Sequence, residues 1–241
     1  MDYGLQLYSV RDMMGQDMEG TLRAVSEIGY RYVEFCGFYG RSAKEVRELL
    51  DQYGLEVCST HTSYYEFLED FDAFVAYHKT IGNSEIIIPG ANLGSAESMQ
   101  EFLDIVNKYQ PKLAAEGIRL SYHNHAGELE VQKDGRQYYG ELEHWTKLDF
   151  EVDTYWAYMA KVDPVALLER LGERARFIHI KDGDAEGHGT PLGRGTAPVK
   201  DVWNKARAMG LTIVVESETQ PDSVTEVAAC FDYLKSLENN E

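Results

Sequence analysis

Five times along the chain a charged stretch with helical spacing leads through a glycine into an apolar, β-branched run. The copies are SEIGYRYVEF at 26–35, DQYGLEVCST at 51–60, AAEGIRLSYH at 114–123, LGERARFIHI at 171–180 with its glycine displaced, and RAMGLTIVVE at 207–216. Four of these runs end on, or just before, a residue able to bind a metal or move a proton: Glu34, His61, His123 and Glu216. His179 falls inside the fourth run. Chemistry gathered at the carboxyl ends of repeated strands is the arrangement of a barrel enzyme.

The same alternation predicts eight short strands: Tyr3–Ser9, Tyr32–Cys36, Glu56–Thr60, Glu85–Pro89, Arg119–Asn124, Phe150–Asp153, Phe177–Lys181 and Thr212–Glu216. Each is rich in Val, Ile, Leu, Tyr or Phe, as strands covered on both faces should be. Helical spacing marks Asp17–Ile28 through Met18, Leu22, Val25 and Ile28. Ser42 with Glu45 reads as a capping box opening Ala43–Gln52. Helices over Phe67–Ile81, Ser98–Ala115, Pro164–Leu171, Val199–Met209 and Val224–Leu237 follow. Gly29, Gly54, Gly82, Gly117 and Gly210 stand just after helices, where a left-handed residue ends them. Strand and helix in alternation require parallel pairing with right-handed crossovers. Eight such units predict an α/β fold, a single-domain (β/α)8 TIM barrel over residues 1–241. An open doubly wound sheet is the alternative, weakened by the lack of a GxGxxG after the first strand.

Composition narrows the function classes. The chain has 241 residues, 44% of them apolar, enough for a large core in one barrel. Lys and Arg number 23 against 41 Asp and Glu, a net charge of −18. That surface repels phosphodiester backbones and anionic membranes. The three cysteines, Cys36, Cys58 and Cys230, form no paired set, and with no apparent signal peptide they point to a reducing cytoplasm. No apolar run is long enough to span a bilayer. The glycine-rich stretch DGDAEGHGTPLGRGTAP at 182–198 follows the seventh strand, where lids and substrate grips form. A second irregular patch covers Asn124–Gly140.

The late strand ends carry the candidate chemistry. Strand five offers His123, then Asn124, His125 and Glu128. Strand six offers Asp153, strand seven His179 with Lys181 and Asp182, and strand eight Glu216 with Glu218. In a closed barrel these ends are neighbours around one mouth. Carboxylates and imidazoles there make a mixed N/O site for one divalent ion such as Mn²⁺, Mg²⁺, Co²⁺ or Zn²⁺. Without a cation, acids so close together would raise one another's pKa.

The stretches LQLYSVRD at 5–12, YVEFCG at 32–37, STHTSY at 59–64, YHNHAGE at 122–128, FEVDTYWA at 150–157, FIHIKD at 177–182, PLGRGTAPV at 191–199 and VVESE at 214–218 carry a family likeness. Together they resemble the sugar phosphate isomerase/epimerase group of the xylose-isomerase-like TIM-barrel superfamily (the AP endonuclease family 2 type domain). The likeness covers nearly the whole chain in order. It implies one divalent metal held from strands five to eight, with Asp153, His179 and Glu216 filling three places. Many members have Glu at the end of strand five, where this chain has His123. Glu128 is expected to reach back as the fourth ligand, with His123 and His125 lining the substrate pocket. The resemblance further implies proton abstraction beside the carbonyl of a sugar or keto-sugar through a metal-stabilised enediolate. Glu216 and Glu128 would be the catalytic bases. His61 and Lys181 would contact hydroxyls or the developing oxyanion, Arg194 would grip an anionic or hydroxylated group, and Tyr8, Tyr155 and Trp156 would wall the sugar ring.

Other outcomes fit the same frame. Loss of a β-hydroxyl from the enediolate would make the chain a dehydratase or lyase of a keto-sugar, keto-inositol or 3-keto-glycoside, and the YHNH element leans that way. The related DNA-repair barrel, endonuclease IV, needs three metals and a basic face. Seven histidines and a charge of −18 argue against it. A non-catalytic sugar-binding barrel is disfavoured by the intact set of strand-end ligands. Expected partners are thus a small sugar or keto-sugar and no nucleic acid or membrane; a homo-oligomer is compatible with the sequence.

Overall fold

A computed structural model describes residues 1–218 and 223–239 of the chain. Eight parallel strands close into one barrel: β1 (Gly4–Gln6), β2 (Tyr32–Phe35), β3 (Glu56–His61), β4 (Glu85–Ile88), β5 (Arg119–His123), β6 (Asp149–Asp153), β7 (Ala175–Ile180) and β8 (Thr212–Val215). The ring closes where β8 pairs with β1, Leu5 lying opposite Val215. Among the described residues no helix is long and apolar enough to cross a membrane.

Period-two alternation separates two apolar cores. On β4, Ile86 and Ile88 point outward into the large core between strands and helices. Ile87 points inward and joins Phe177, Val214 and Cys58 as a plug inside the barrel. Gly4 makes room for that plug: a Cβ there would lie 3.1 Å from Val214 Cγ2 and 3.5 Å from Cys58 Sγ. The plug closes the lower barrel, so inward positions nearer the carboxyl ends are left for polar side chains.

Local chemistry explains most element boundaries. Ser42 and Glu45 form the reciprocal cap of the helix Ala43–Tyr53. Gly54 ends that helix at φ 64°, a left-handed position that costs glycine little. Two expectations are corrected. The first strand stops at Gln6 instead of running to Ser9, because the Gln6 side chain accepts from Tyr8 N (2.9 Å) and starts a 3-10 turn over Leu7–Val10. The helix expected over Phe67–Ile81 is two, Tyr64–Glu69 and Phe71–Ile81. Asp70 takes an extended conformation between them and caps the second through Ala73 N (3.0 Å). The irregular patch 124–140 contains the short helix Ala126–Leu129, and a further helix follows at Tyr138–Trp145.

His78 in the helix Phe71–Ile81 packs against Phe74 and Phe38 and is 1% exposed. Burial pulls its pKa from 6.5 to about 4. The unfolded chain therefore takes up a proton that the folded chain refuses between those values. Stability is full above pH 6.5 and falls as pH drops toward 4, by about 3 kcal/mol from this group alone. His78→Leu is expected to remove that part of the acid loss. Asn83, near His78 Nδ1, keeps Thr60 Oγ1 and the Glu85 carbonyl as partners. Urea unfolding of parent and variant at pH 7 and pH 4.5 checks this; equal losses in both would contradict it.

Candidate metal centre and pocket

Strand register builds the site in two tiers above the plug. In the lower tier Gln6 lies opposite Glu34 between β1 and β2, and Glu34 lies opposite Ser59 between β2 and β3. A register shift at Val33/Glu34 leaves Cys58 as the extra residue of β3, and one at Phe150/Glu151 leaves Arg176 as the extra residue of β7. Such irregularities re-aim side chains at functional ends of sheets. Here both carboxylates, Glu34 and Glu151, point into the barrel and are completely buried.

They alternate with two imidazoles in a ring. His179 Nε2 is 2.7 Å from Glu34 Oε1 and 3.2 Å from Glu151 Oε2; His61 Nε2 is 2.7 Å from Glu151 Oε2 and 3.3 Å from Glu34 Oε1. Burial raises the Glu34 carboxyl, but the His61 and His179 imidazoles outweigh it and hold the group at about 2. Glu151, pushed by burial and then by the charge of Glu34, rises to about 7.

The upper tier holds His123, Asp153, His179 and Glu216, one ligand atom of each lying within 4.8 Å of the others. Asp153 is opposite His179 in the β6–β7 register. Asp153 Oδ1 accepts from Trp156 N (2.8 Å), capping the helix Thr154–Met159, while Asn124 and the Asp153 backbone exchange two hydrogen bonds. Burial lifts the Asp153 carboxyl to about 6. Burial and the neighbouring imidazoles depress His123. Glu216, in spite of burial, is held low by His179 and Lys181, whose Nζ lies 3.5 Å away.

Polar atoms of this tier lack partners. Both ring nitrogens of His123, Asp153 Oδ2 and His179 Nδ1 are buried and find no hydrogen-bond partner among the described residues. Orphaned buried donors and acceptors are costly, and so many converging at one point call for a group that satisfies them together. Two imidazoles and two carboxylates suit a divalent ion of borderline character.

Above the tier opens a cavity of about 470 Å³ lined by Tyr8, His61, His123, His125, Trp156 and Glu216, among others. The structure therefore brings together Asp153, His179 and Glu216, and sets Tyr8, His61, His125 and Trp156 around them. Tyr155 is buried, its hydroxyl bonded to the Asp184 carbonyl (2.9 Å). Lys181, 2% exposed, lies under Trp156 (4.8 Å to the ring) and pairs with Glu218 (2.6 Å).

Besides Tyr155, which does not line the cavity, two expected site residues lie elsewhere. Glu128 does not reach back: its carboxylate accepts from His125 N (3.0 Å) and Tyr122 Oη (3.2 Å), capping the short helix Ala126–Leu129, and it does not join the upper tier. His123, at the end of β5, stands in the upper tier instead. Arg194 is exposed on its loop and does not line the cavity. A larger groove, about 770 Å³ between Tyr158–Val165 and Pro198–Asp201, lies apart from every imidazole named here. The sequence reading left Glu151 out altogether. It sits two residues before Asp153, so strand alternation places both on the inner face.

Residues 22–237 match the model of the xylose isomerase-like TIM barrel. The chain belongs to that family. An inosose dehydratase of Geobacillus kaustophilus is 25% identical over 190 residues, 67% of this chain and 61% of the relative's length. The chain thus aligns with less than two thirds of that enzyme. A sugar phosphate isomerase/epimerase from Parabacteroides distasonis superposes with a TM-score of 0.84 at 25% identity, covering 96% of each chain. A D-allulose 3-epimerase from Methylomonas sp. shares the fold at a TM-score of 0.77 and 15% identity, covering 98% of this chain and 96% of its own. The named relatives are thus a dehydratase, an isomerase/epimerase and an epimerase.

Proposed function

We propose that the chain is a divalent-metal-dependent isomerase or epimerase of a sugar or keto-sugar that moves a proton next to a carbonyl. The observation carrying this reading is the set of unpartnered atoms on His123, Asp153 and His179, converging with Glu216 at the floor of the cavity. A divalent ion held by those four residues supplies a Lewis acid for the oxygen on which charge develops. The donor set favours Mn²⁺, Co²⁺ or Zn²⁺ over Mg²⁺, because half of it is imidazole.

The protein's own groups supply the rest. Glu216 stays ionised between His179 and Lys181 and is the carboxylate placed to take a proton. Lys181, fixed by Glu218, keeps a positive charge beside it. Trp156 and Tyr8 offer apolar faces to a sugar ring, and His61 and His125 present imidazoles to its hydroxyls. The pocket takes a small solute, and a cytoplasmic setting suits the free thiols of Cys36, Cys58 and Cys230.

A second reading, dehydration or elimination, is favoured by His123 at the strand-five place and by the inosose dehydratase relatives. Incubation with ketohexoses, their phosphates and keto-inositols in D₂O with Mn²⁺ or Co²⁺ separates the two. Isomerisation keeps the molecular formula, apart from solvent deuterium entering the product; dehydration loses one water. If no substrate gains deuterium and none loses water, both readings fail.

A further inference from the structure

The lower tier poses a separate question, because two fully buried carboxylates sit where a continuation of the apolar plug would be cheaper. Buried ion pairs are weak evidence for stability, and well-packed apolar replacements often do as well. What the tier does touch is the underside of His179. That imidazole presents Nδ1, without a hydrogen-bond partner, 3.4 Å from Glu216 Oε2 in the upper tier, and Nε2 to Glu34 Oε1 at 2.7 Å in the lower.

We propose that Glu34, acting through His179, is a positioning residue for the divalent ion: it holds the proton on Nε2, so that the Nδ1 lone pair faces Asp153 and Glu216. This inference deepens the proposed function and rests on its metal. Glu34 is itself held by design of the strands. Gln6 Nε2 donates to Oε1 (2.5 Å), Ser59 Oγ donates to Oε2, and both donors come from register neighbours on β1 and β3. Glu151 is the poorer candidate for the role: it is farther from Nε2 (3.2 Å), it is engaged by His61 (2.7 Å), and its Oε1 has no partner. A carboxylate behind a ligating imidazole fixes the tautomer and ring orientation and makes the free nitrogen a better donor. Glutamine at position 34 keeps the shape but removes the charge, and its amide serves equally as donor, so it no longer selects the tautomer.

The test is a Co²⁺ titration of the metal-free full chain, followed by calorimetry and visible absorption, with melting temperatures measured alongside. Glu34→Gln is expected to weaken Co²⁺ binding by about 10–100-fold while the protein stays folded. Ser59→Ala, which leaves Glu34 charged but less firmly held, is expected to weaken it several-fold. A purely structural role would instead lower the melting temperature with Co²⁺ affinity unchanged, the behaviour expected of Ile88→Val in the outer core. A folded Glu34→Gln that binds Co²⁺ within about threefold of the parent overturns the inference and leaves the metal reading intact. If Glu34→Gln does not fold, Ser59→Ala decides, and unchanged affinity there overturns the inference. A parent with no saturable Co²⁺ binding removes the metal reading itself.

Discussion

On the proposed function, Asp153→Asn is expected to abolish divalent-metal binding while leaving the metal-free protein at least as stable as the parent. The two oxygens of Asp153 do different work. Oδ1 caps the helix Thr154–Met159 through Trp156 N (2.8 Å), and asparagine caps as well as aspartate. Oδ2 is buried with no hydrogen bond, 3.7 Å from His123 Nε2. A carboxylate in that position is a liability until a cation arrives, which is why burial lifts it to about 6. Asparagine removes the liability and the ligand together. The loss of metal affinity should exceed the ~10–100-fold typical of residues that only support a ligand. Elemental analysis of parent and variant, with melting curves in a chelator, checks both halves. A variant that retains metal, or whose metal-free form melts far below the parent, would refute the assignment of Asp153 as a ligand kept at the expense of stability.

The second large effect concerns the glycine-rich segment after β7. Asp182, 2% exposed, is the hub of that segment: Oδ1 accepts from Gly183 N (2.9 Å) and Ala197 N (3.1 Å), and Oδ2 from Gly193 N and Gly195 N (both 2.9 Å). The wrap is tight. A Cβ on Gly195 would fall 2.2 Å from Asp182 Oδ1 and 2.3 Å from the Gly183 carbonyl. Asp182→Ala leaves four backbone donors without their acceptor around a buried gap, at a cost of roughly 3–5 kcal/mol. For a chain of this size that is a fall of roughly 10 °C in melting temperature. Limited proteolysis should then cut within 183–197 well before the rest of the barrel opens. A melting temperature within about 2 °C of the parent would show that the loop is held by something else.

The same loop explains one miss in the sequence reading. Arg194 sits where a lid would carry a substrate grip, but the segment folds inward through its backbone amides to Asp182, which leaves Arg194 exposed. Glu128 was drawn away by a local contest of another kind. It stands three residues after His125, the spacing of a capping box, and its carboxylate satisfies the His125 amide instead of a distant site. That spacing is visible in the sequence, so the signal existed. Glu151 was also within reach, since the alternation of FEVD at 150–153 puts Glu151 and Asp153 on one face.

The sequence by itself determined the barrel, seven of its eight strands to within two residues, and the strand ends that carry Asp153, His179 and Glu216. Those features follow from short-range chemistry: period-two runs, glycines that stop helices, and acids or imidazoles left at the tips of apolar strands. Only the tertiary structure decided which nitrogen of His179 faces which carboxylate, that His123 comes together with Asp153 and Glu216, and that Glu34 from β2 meets a histidine from β7. These contacts span the closed ring, and their depth depends on strand stagger and on two register shifts. A one-residue change in register moves a side chain to the other face of its strand, and no local pattern records where such a shift falls.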